Sequence, residues 1–115
     1  MAENFLTGIQ TLTVPELTER LGLAPSKVRR LIEDQHLAAV RIGGVLRVPA
    51  AFLQGDEPLS SLRGTLLVLR DAGYSEEQSI EWLFTENAEV GGIPIEELQN
   101  GHKSAVRRAT QSLAF

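Results

Sequence analysis

Two short helical patterns followed at once by a glycine-tipped hairpin constrain the fold of this chain more than any other feature. They occupy residues 13–48, with Gly22 in the turn between the helical patterns and Gly43-Gly44 at the tip of the hairpin. A short helix fits a DNA major groove, and a two-stranded ribbon beside it can lie along the flanking backbone. The order of elements therefore predicts a winged helix-turn-helix.

Local signals bound the first helix at both ends. Thr13-Val-Pro-Glu16 forms a capping box, in which the threonine hydroxyl accepts an amide proton three residues on and the glutamate reaches back. Leu17 and Leu21 recur at a helical spacing, and Gly22 can adopt the left-handed conformation that ends a helix. We expect Leu23 to fill the space between the two helices.

The second helix begins at Ala24-Pro25 and is expected to end near Gln35-His36. Its apolar stripe consists of Val28, Leu31 and Ile32, so the polar side chains face solvent. The outward-facing set is Ser26, Lys27, Arg29, Arg30 and Glu33. The outer face of this helix is therefore basic.

The predicted wing consists of residues 37–42 and 45–48, which are rich in β-branched and apolar side chains. Gly43-Gly44 between them is a two-residue hairpin signal, because both turn positions require a positive φ. Arg41 and Arg47 lie one on each arm. We expect Pro49 to end the second arm and to begin a further helical turn.

Charge is distributed unevenly along the chain. The net charge of −4, taken alone, argues against a nucleic-acid partner. However, residues 25–48 hold five basic and two acidic side chains, whereas residues 54–115 hold five basic and ten acidic ones. A local field rather than the global charge steers an encounter with phosphate, so the predicted motif is suited to DNA.

The C-terminal half is predicted to be helical. Residues 54–58 are the expected internal boundary, and helices follow from Ser60 or Ser61 to Gly73, from the capping box Ser75-Glu-Glu-Gln78 to Phe84, over 94–98 and over 102–114. The predicted fold class is mainly α, with a tail of residues 1–12, a winged helix-turn-helix domain of residues 13–53 carrying a two-stranded wing, and a helical subdomain of residues 58–115. At 115 residues, the chain is expected to form one domain or two small ones that share a core.

Composition and motifs exclude several classes of protein. The chain has no cysteine, which excludes disulfides, thiol chemistry and thiolate-bound zinc. His36 and His102 lack companion ligands, and no nucleophile motif or phosphate-binding loop occurs, so we expect no metal, no cofactor and no enzyme activity. The sequence has no apolar run long enough to span a bilayer and no signal peptide. We therefore expect a cytoplasmic, nucleoid-associated protein without a membrane partner.

Residues 13–53 resemble the excisionase-like and MerR-like winged helix-turn-helix domains. The match rests on Ser26-Lys-Val-Arg-Arg-Leu-Ile32, Leu37, Arg41-Ile-Gly-Gly44 and Arg47-Val-Pro49, in order and spacing. The whole chain resembles a small family of actinobacterial DNA-binding regulators, known for a mycobacterial member that a membrane Ser/Thr kinase phosphorylates. This wider resemblance rests on residues 40–45, 66–74, 81–85 and 101–109.

The resemblance implies that double-stranded DNA is a partner and that a Ser/Thr protein kinase is a second candidate partner. In the mycobacterial member, the phosphoacceptor lies in a longer N-terminal extension. Here the candidate phosphorylation sites are Thr7 and Thr11, although no motif selects either one.

The basic residues of the predicted motif are assigned to different parts of DNA. Lys27 and Arg30 are predicted to reach base edges, and Ser26 to donate to a phosphate or a base. The resemblance to MerR-type proteins implies a phosphate contact for Arg29. Arg41 and Arg47 are predicted to contact the flanking backbone or the minor groove. Gly43 and Gly44 let the main chain approach a phosphate closely. In the alternative interpretation, Arg41 and Arg47 pair with Glu33 or Asp34, and the basic helix face is only solvated surface.

Two functions are consistent with these patterns. The first is a transcriptional regulator that places helix 25–34 in the major groove and wing 39–48 on the backbone. One such module covers about 600–1,000 Å², so tight specific binding is expected to need either a homodimer on DNA or a second module. The alternative is a protein-interaction adaptor or kinase substrate with weak affinity for DNA.

Overall fold

The computed structural model describes Leu6 and residues 8–113 of the chain. Its elements are strand β1 Thr11–Thr13, helices α1 Val14–Leu21 and α2 Pro25–Glu33, strands β2 Val40–Ile42 and β3 Val45–Pro49, a 3₁₀ turn Ala50–Phe52, strands β4 Leu53–Gln54 and β5 Glu57–Pro58, and helices α3 Leu62–Asp71, α4 Glu76–Phe84, α5 Pro94–Gln99 and α6 Lys103–Gln111. The predicted fold class, a mainly α protein with a winged helix-turn-helix and a helical C-terminal part, is confirmed.

The helix-turn-helix forms through the predicted local signals. The Glu16 amide donates to Thr13 Oγ1, and Glu16 Oε1 accepts a hydrogen bond of 2.8 Å from the Thr13 amide. Gly22 ends α1 with a φ of 69°, and its amide donates to the Thr18 carbonyl at 2.9 Å. Leu23 is half-buried against the core, in the turn between the two helices.

The wing belongs to a three-stranded antiparallel sheet in the order β1-β3-β2. The β2–β3 hairpin turns at Gly43 and Gly44, whose φ angles are 59° and 82°, as the sequence predicts. Its first strand begins at Val40 rather than at Leu37, because residues 37–39 form a buried connection instead.

Strand β1 is the element that sequence analysis missed. Thr11 pairs with Pro49 and Thr13 with Arg47, so the expected N-terminal tail of residues 1–12 ends in an edge strand. Before it, Leu6 is buried and Ile9 is half-buried against the core.

The predicted boundary at residues 54–58 is a second small hairpin rather than an open linker. Strand β4 pairs with β5, and the Leu59 amide then donates to the Phe52 carbonyl at 2.9 Å. A single cluster of buried side chains spans both halves, and the rings of Phe52 and Phe84 stack across it with centroids 5.9 Å apart. The two halves therefore share one core.

The C-terminal helices follow the sequence patterns with two corrections. The Ser75–Gln78 capping box is present, with both of its hydrogen bonds made. By contrast, Ser61 makes no capping hydrogen bond at the start of α3, because its own backbone is already helical. Helix α6 ends at Gln111, so Leu113 lies beyond it and is half-buried.

Candidate nucleic-acid interface

Helix α2 presents its basic side chains on the face opposite the core. Val28 and Ile32 are buried, and at about 100° per residue the Arg30 side chain lies on the opposite side of the helix. Lys27 and Arg29 lie on the two flanks of this face, roughly 160° apart by the same geometry. Ser26, Lys27, Arg29 and Arg30 are all exposed, as predicted for residues that contact a partner.

The cationic groups of this face are not neutralised within the protein. In Leu6 and residues 8–113, the one close contact between a basic nitrogen and a carboxylate oxygen joins His102 Nδ1 to Glu97 Oε1, at 2.9 Å. In particular, Arg29 and Arg30 form no pair with Glu33 and Asp34, although each stands at a helical i, i+4 spacing from one of them. Their charge is therefore available to an external anion.

The two wing arginines do not lie on one surface. Arg41 pairs across the hairpin with Leu46, whereas Arg47 pairs with Val40 on one side and with Thr13 on the other. Directly opposed residues share a face and successive residues alternate, so Arg41 and Arg47 point to opposite faces of the sheet. Of the two, only Arg41 is exposed and contacts the turn at the wing tip.

Arg41 and Arg47 also differ in how they are held. Arg41 is exposed, and its guanidinium donates to the Gly44 carbonyl at 3.2 Å within the turn. Arg47 is half-buried and donates to Thr11 Oγ1 at 3.3 Å. Neither arginine pairs with Glu33 or Asp34 among the residues for which the structure gives contacts. Arg47 therefore ties strand β1 to the wing.

Of the two candidate phosphorylation sites, Thr7 lies outside the described residues. Thr11 is half-buried in strand β1, and its hydroxyl accepts the hydrogen bond from Arg47.

The C-terminus of α2 contains a feature that sequence analysis missed. Gln35 has a φ of 66°, and the amides of Gln35 and His36 donate to the carbonyls of Ile32 and Leu31 at 3.2 and 2.9 Å. This is the Schellman arrangement, in which glycine usually occupies the left-handed position. It places His36 in a shallow groove along α2, together with Lys27 and Arg30. A glycine at position 35 would have predicted this helix end from the sequence, whereas a glutamine gives no such signal.

The C-terminal helices hold both ends of the connector, residues 34–39, that joins α2 to the wing. Arg63 Nε of α3 donates to the Asp34 carbonyl at 2.9 Å. At the other end, the buried Ala39 amide donates to Glu76 Oε2 of α4 at 2.6 Å. Burial raises the pKa of the Glu76 carboxyl, while the hydrogen bond from Ala39 and the nearby Arg70 oppose that rise. Both ends of the connector between α2 and the wing are thus hydrogen-bonded to the C-terminal half.

Among the residues described, no three His, Asp or Glu side chains are grouped so that they could hold a metal ion. His102 precedes α6 as its N-cap residue, and its Nδ1 contacts Glu97 Oε1.

None of the helices between residues 8 and 113 is both long enough and apolar enough to cross a bilayer.

The basic helix, the preceding turn and the glycine-tipped hairpin together define a winged helix-turn-helix protein. Two family models match the chain: "DNA-binding protein Rv2175c, wHTH domain" over residues 1–53 and "Rv2175c C-terminal domain of unknown function" over residues 59–114. The chain belongs to the Rv2175c family, which confirms the resemblance to actinobacterial DNA-binding regulators.

The relatives agree with this membership. The "DNA-binding protein Rv2175c" of Mycobacterium tuberculosis is 30% identical over 118 residues, which cover 91% of this chain and 81% of that protein. The NMR structure of Rv2175c superposes with a TM-score of 0.80 at 30% identity, over 93% of this chain and 82% of that one. An excisionase of Streptomyces ambofaciens is 48% identical over 40 residues, which cover 35% of this chain and 64% of the excisionase.

Proposed function

We propose that this protein binds double-stranded DNA in a sequence-directed manner and acts as a transcriptional regulator. In this proposal α2 enters the major groove, and the tip of the β2–β3 wing lies on the flanking backbone. The main support is the exposed face of α2, where Lys27, Arg29 and Arg30 stand opposite the core without a carboxylate partner among the described residues. Membership of a family described as DNA-binding supports the same function.

Each exposed group receives a separate role. Arg30, at the centre of the face, and Lys27, one turn earlier, read base edges, since arginine and lysine can donate to guanine in the major groove. Arg29, on the other flank, and Arg41 contact phosphates, and Ser26 at the start of α2 donates to either. Gly43 and Gly44 carry no side chain, so the wing tip can approach the backbone closely.

Arg47 has a different role in this proposal from the one that its sequence position suggests. Its guanidinium is engaged by Thr11 on the face of the sheet opposite Arg41. We therefore treat Arg47 as an internal support of the wing rather than as a phosphate contact.

The assembly on DNA and its regulation are also part of the proposal. A single module covers about 600–1,000 Å², so specific binding is expected from a homodimer on two half-sites. Phosphorylation of Thr11 by a Ser/Thr kinase would replace the hydroxyl that Arg47 contacts with a dianion and would alter the support of the wing. A DNA-binding regulator of this kind would act on the nucleoid, in the cytoplasm.

A binding titration against salt tests the proposal. Lys27, Arg29, Arg30 and Arg41 suggest about four neutralised phosphates, for which the logarithmic salt slope is about −3.6. Affinity for a duplex selected from a random pool should then fall about 150-fold between 50 and 200 mM salt. Binding that is absent at 50 mM, or that does not depend on salt, would favour the adaptor function instead.

A further inference from the structure

We infer that a second anion-binding site lies in the groove between α3 and α6, and that it takes a phosphoryl group. The groove is lined by the hydroxyl-bearing residues Ser60, Ser61, Thr65 and Thr110 and by the cationic residues Lys103 and Arg107. Of the described residues that line it, none is acidic. Hydroxyl and amide donors combined with paired cations are the groups with which proteins bind phosphate.

Two threonines form the most buried part of the groove lining. Thr65 of α3 is 8% exposed and Thr110 of α6 is 1% exposed, and both line the groove. The Thr110 hydroxyl donates to the Arg107 carbonyl at 2.8 Å, as hydroxyls in helices often do. The enclosed part of the groove therefore carries hydroxyl-bearing side chains next to the two cationic ones.

The two cations are placed to act on one anion. Lys103 and Arg107 are separated by one helical turn on α6, so their side chains lie on the same face of the helix. Both are exposed, and neither forms an ion pair within the described residues. Helix α6 carries three basic and no acidic residues, although the half of the chain that contains it is acidic. The basic groove therefore stands out from its surroundings.

The phosphoryl group can come from a small phosphate-bearing ligand or from the DNA backbone. Inorganic phosphate tests the shared chemistry. It is titrated into the ¹⁵N-labelled full chain at constant ionic strength, with chloride as the balancing anion. We expect saturable shifts of the amide signals of residues 60–65 and 103–107.

The variant Arg107→Gln tests the cation, and Arg108→Gln is the matched control. Arg108 is the next residue of the same helix, is also exposed and does not line the groove. Arg107→Gln should weaken phosphate binding by about tenfold or more, the effect of losing a charge-assisted hydrogen bond. Arg108→Gln should change it by less than about twofold, since successive side chains on a helix point about 100° apart and Arg108 does not line the groove. Thr65→Val should weaken phosphate binding while leaving a cooperative thermal transition.

Three outcomes decide the proposal. Shifts that do not saturate, or equal losses in the Arg107 and Arg108 variants, would overturn it. If Arg107→Gln also makes the salt slope of DNA binding shallower by about 0.9, the DNA backbone supplies the phosphate. If the slope is unchanged and phosphate binding alone is lost, a small ligand supplies it. Because phosphate binding is measured without DNA, its failure is distinguishable from a failure of the proposed DNA-binding function.

Discussion

The substitution of Arg30 by glutamine tests most sharply how α2 would read DNA. Arg30 is exposed on the face of the helix that points away from the buried Val28 and Ile32. Glutamine has nearly the same helix propensity as arginine, and no contact between Arg30 and a charged partner is lost within the described residues. The free energy of unfolding should therefore change by less than about 0.5 kcal/mol, which is typical of surface positions.

DNA binding should respond in a way that depends on sequence. A bidentate contact from arginine to a guanine is worth about 1–3 kcal/mol of discrimination. Arg30→Gln should thus lower affinity for the selected duplex roughly 5- to 150-fold. The same substitution should also remove the preference for one base pair of the site, as measured by anisotropy titrations against duplexes changed at single positions.

Arg29→Gln is the matched comparison on the same helix. Arg29 lies on a flank of the exposed face, and loss of a phosphate contact should weaken binding to all duplexes about equally. It should also make the salt slope shallower by about 0.9. The reasoning is refuted if the two variants give the same pattern, or if Arg30→Gln binds the selected duplex as well as the Arg108→Gln control does.

Three further predictions concern the support of the interface. First, Glu76→Ala should lower the free energy of unfolding by about 1–3 kcal/mol in a denaturant titration at pH 7, because it leaves the buried Ala39 amide without its acceptor. The same substitution should weaken DNA binding without changing the salt slope. Glu76→Gln keeps an acceptor oxygen; since the folded-state pKa of Glu76 is raised above its ordinary value of 4.5, the wild type should lose stability relative to this variant as pH rises through that raised pKa. An equal pH dependence in both proteins would contradict this. Second, Gly44→Ala should destabilise the protein by about 1–2 kcal/mol, because φ is 82° at this position. A Cβ there would meet open space, so the cost comes from the backbone conformation alone. Gly64→Ala, in α3 at an ordinary φ, should be stabilising, and the same sign for both variants would refute the account of the turn. Third, Gln35→Gly should raise the free energy of unfolding by up to about 1 kcal/mol, since φ at this position is 66°; a lower melting temperature would contradict the strain argument.

Elements that depend on neighbouring residues could be predicted from the sequence. The capping boxes at Thr13 and Ser75 join residues three apart, and the Gly43-Gly44 turn depends on two adjacent conformations. The outward face of α2 follows from the spacing of its buried residues. These signals were sufficient to identify the helix-turn-helix, the wing and the basic residues of the candidate interface.

Features that depend on distant pairing could not be predicted. Strand β1 has three residues and no turn signal, and it forms because β3 offers an open edge more than thirty residues away. The engagement of Arg47 follows from that strand. The hydrogen bond that Arg63 donates to the connector, and the one that Glu76 accepts from it, likewise join elements far apart in sequence. The sequence pattern therefore revealed which residues are basic, but not which of them already form hydrogen bonds within the protein.

Amide chemical-shift mapping tests the central claim most directly. The ¹⁵N-labelled chain is titrated with a duplex selected from a random pool at 50 mM salt, and the shifts are followed along the backbone. The account predicts the largest changes at residues 26–34 of α2 and at 41–45 of the wing, with reversal on addition of salt. Shifts that avoid α2, or no shifts at a duplex concentration above that of the protein, would contradict it.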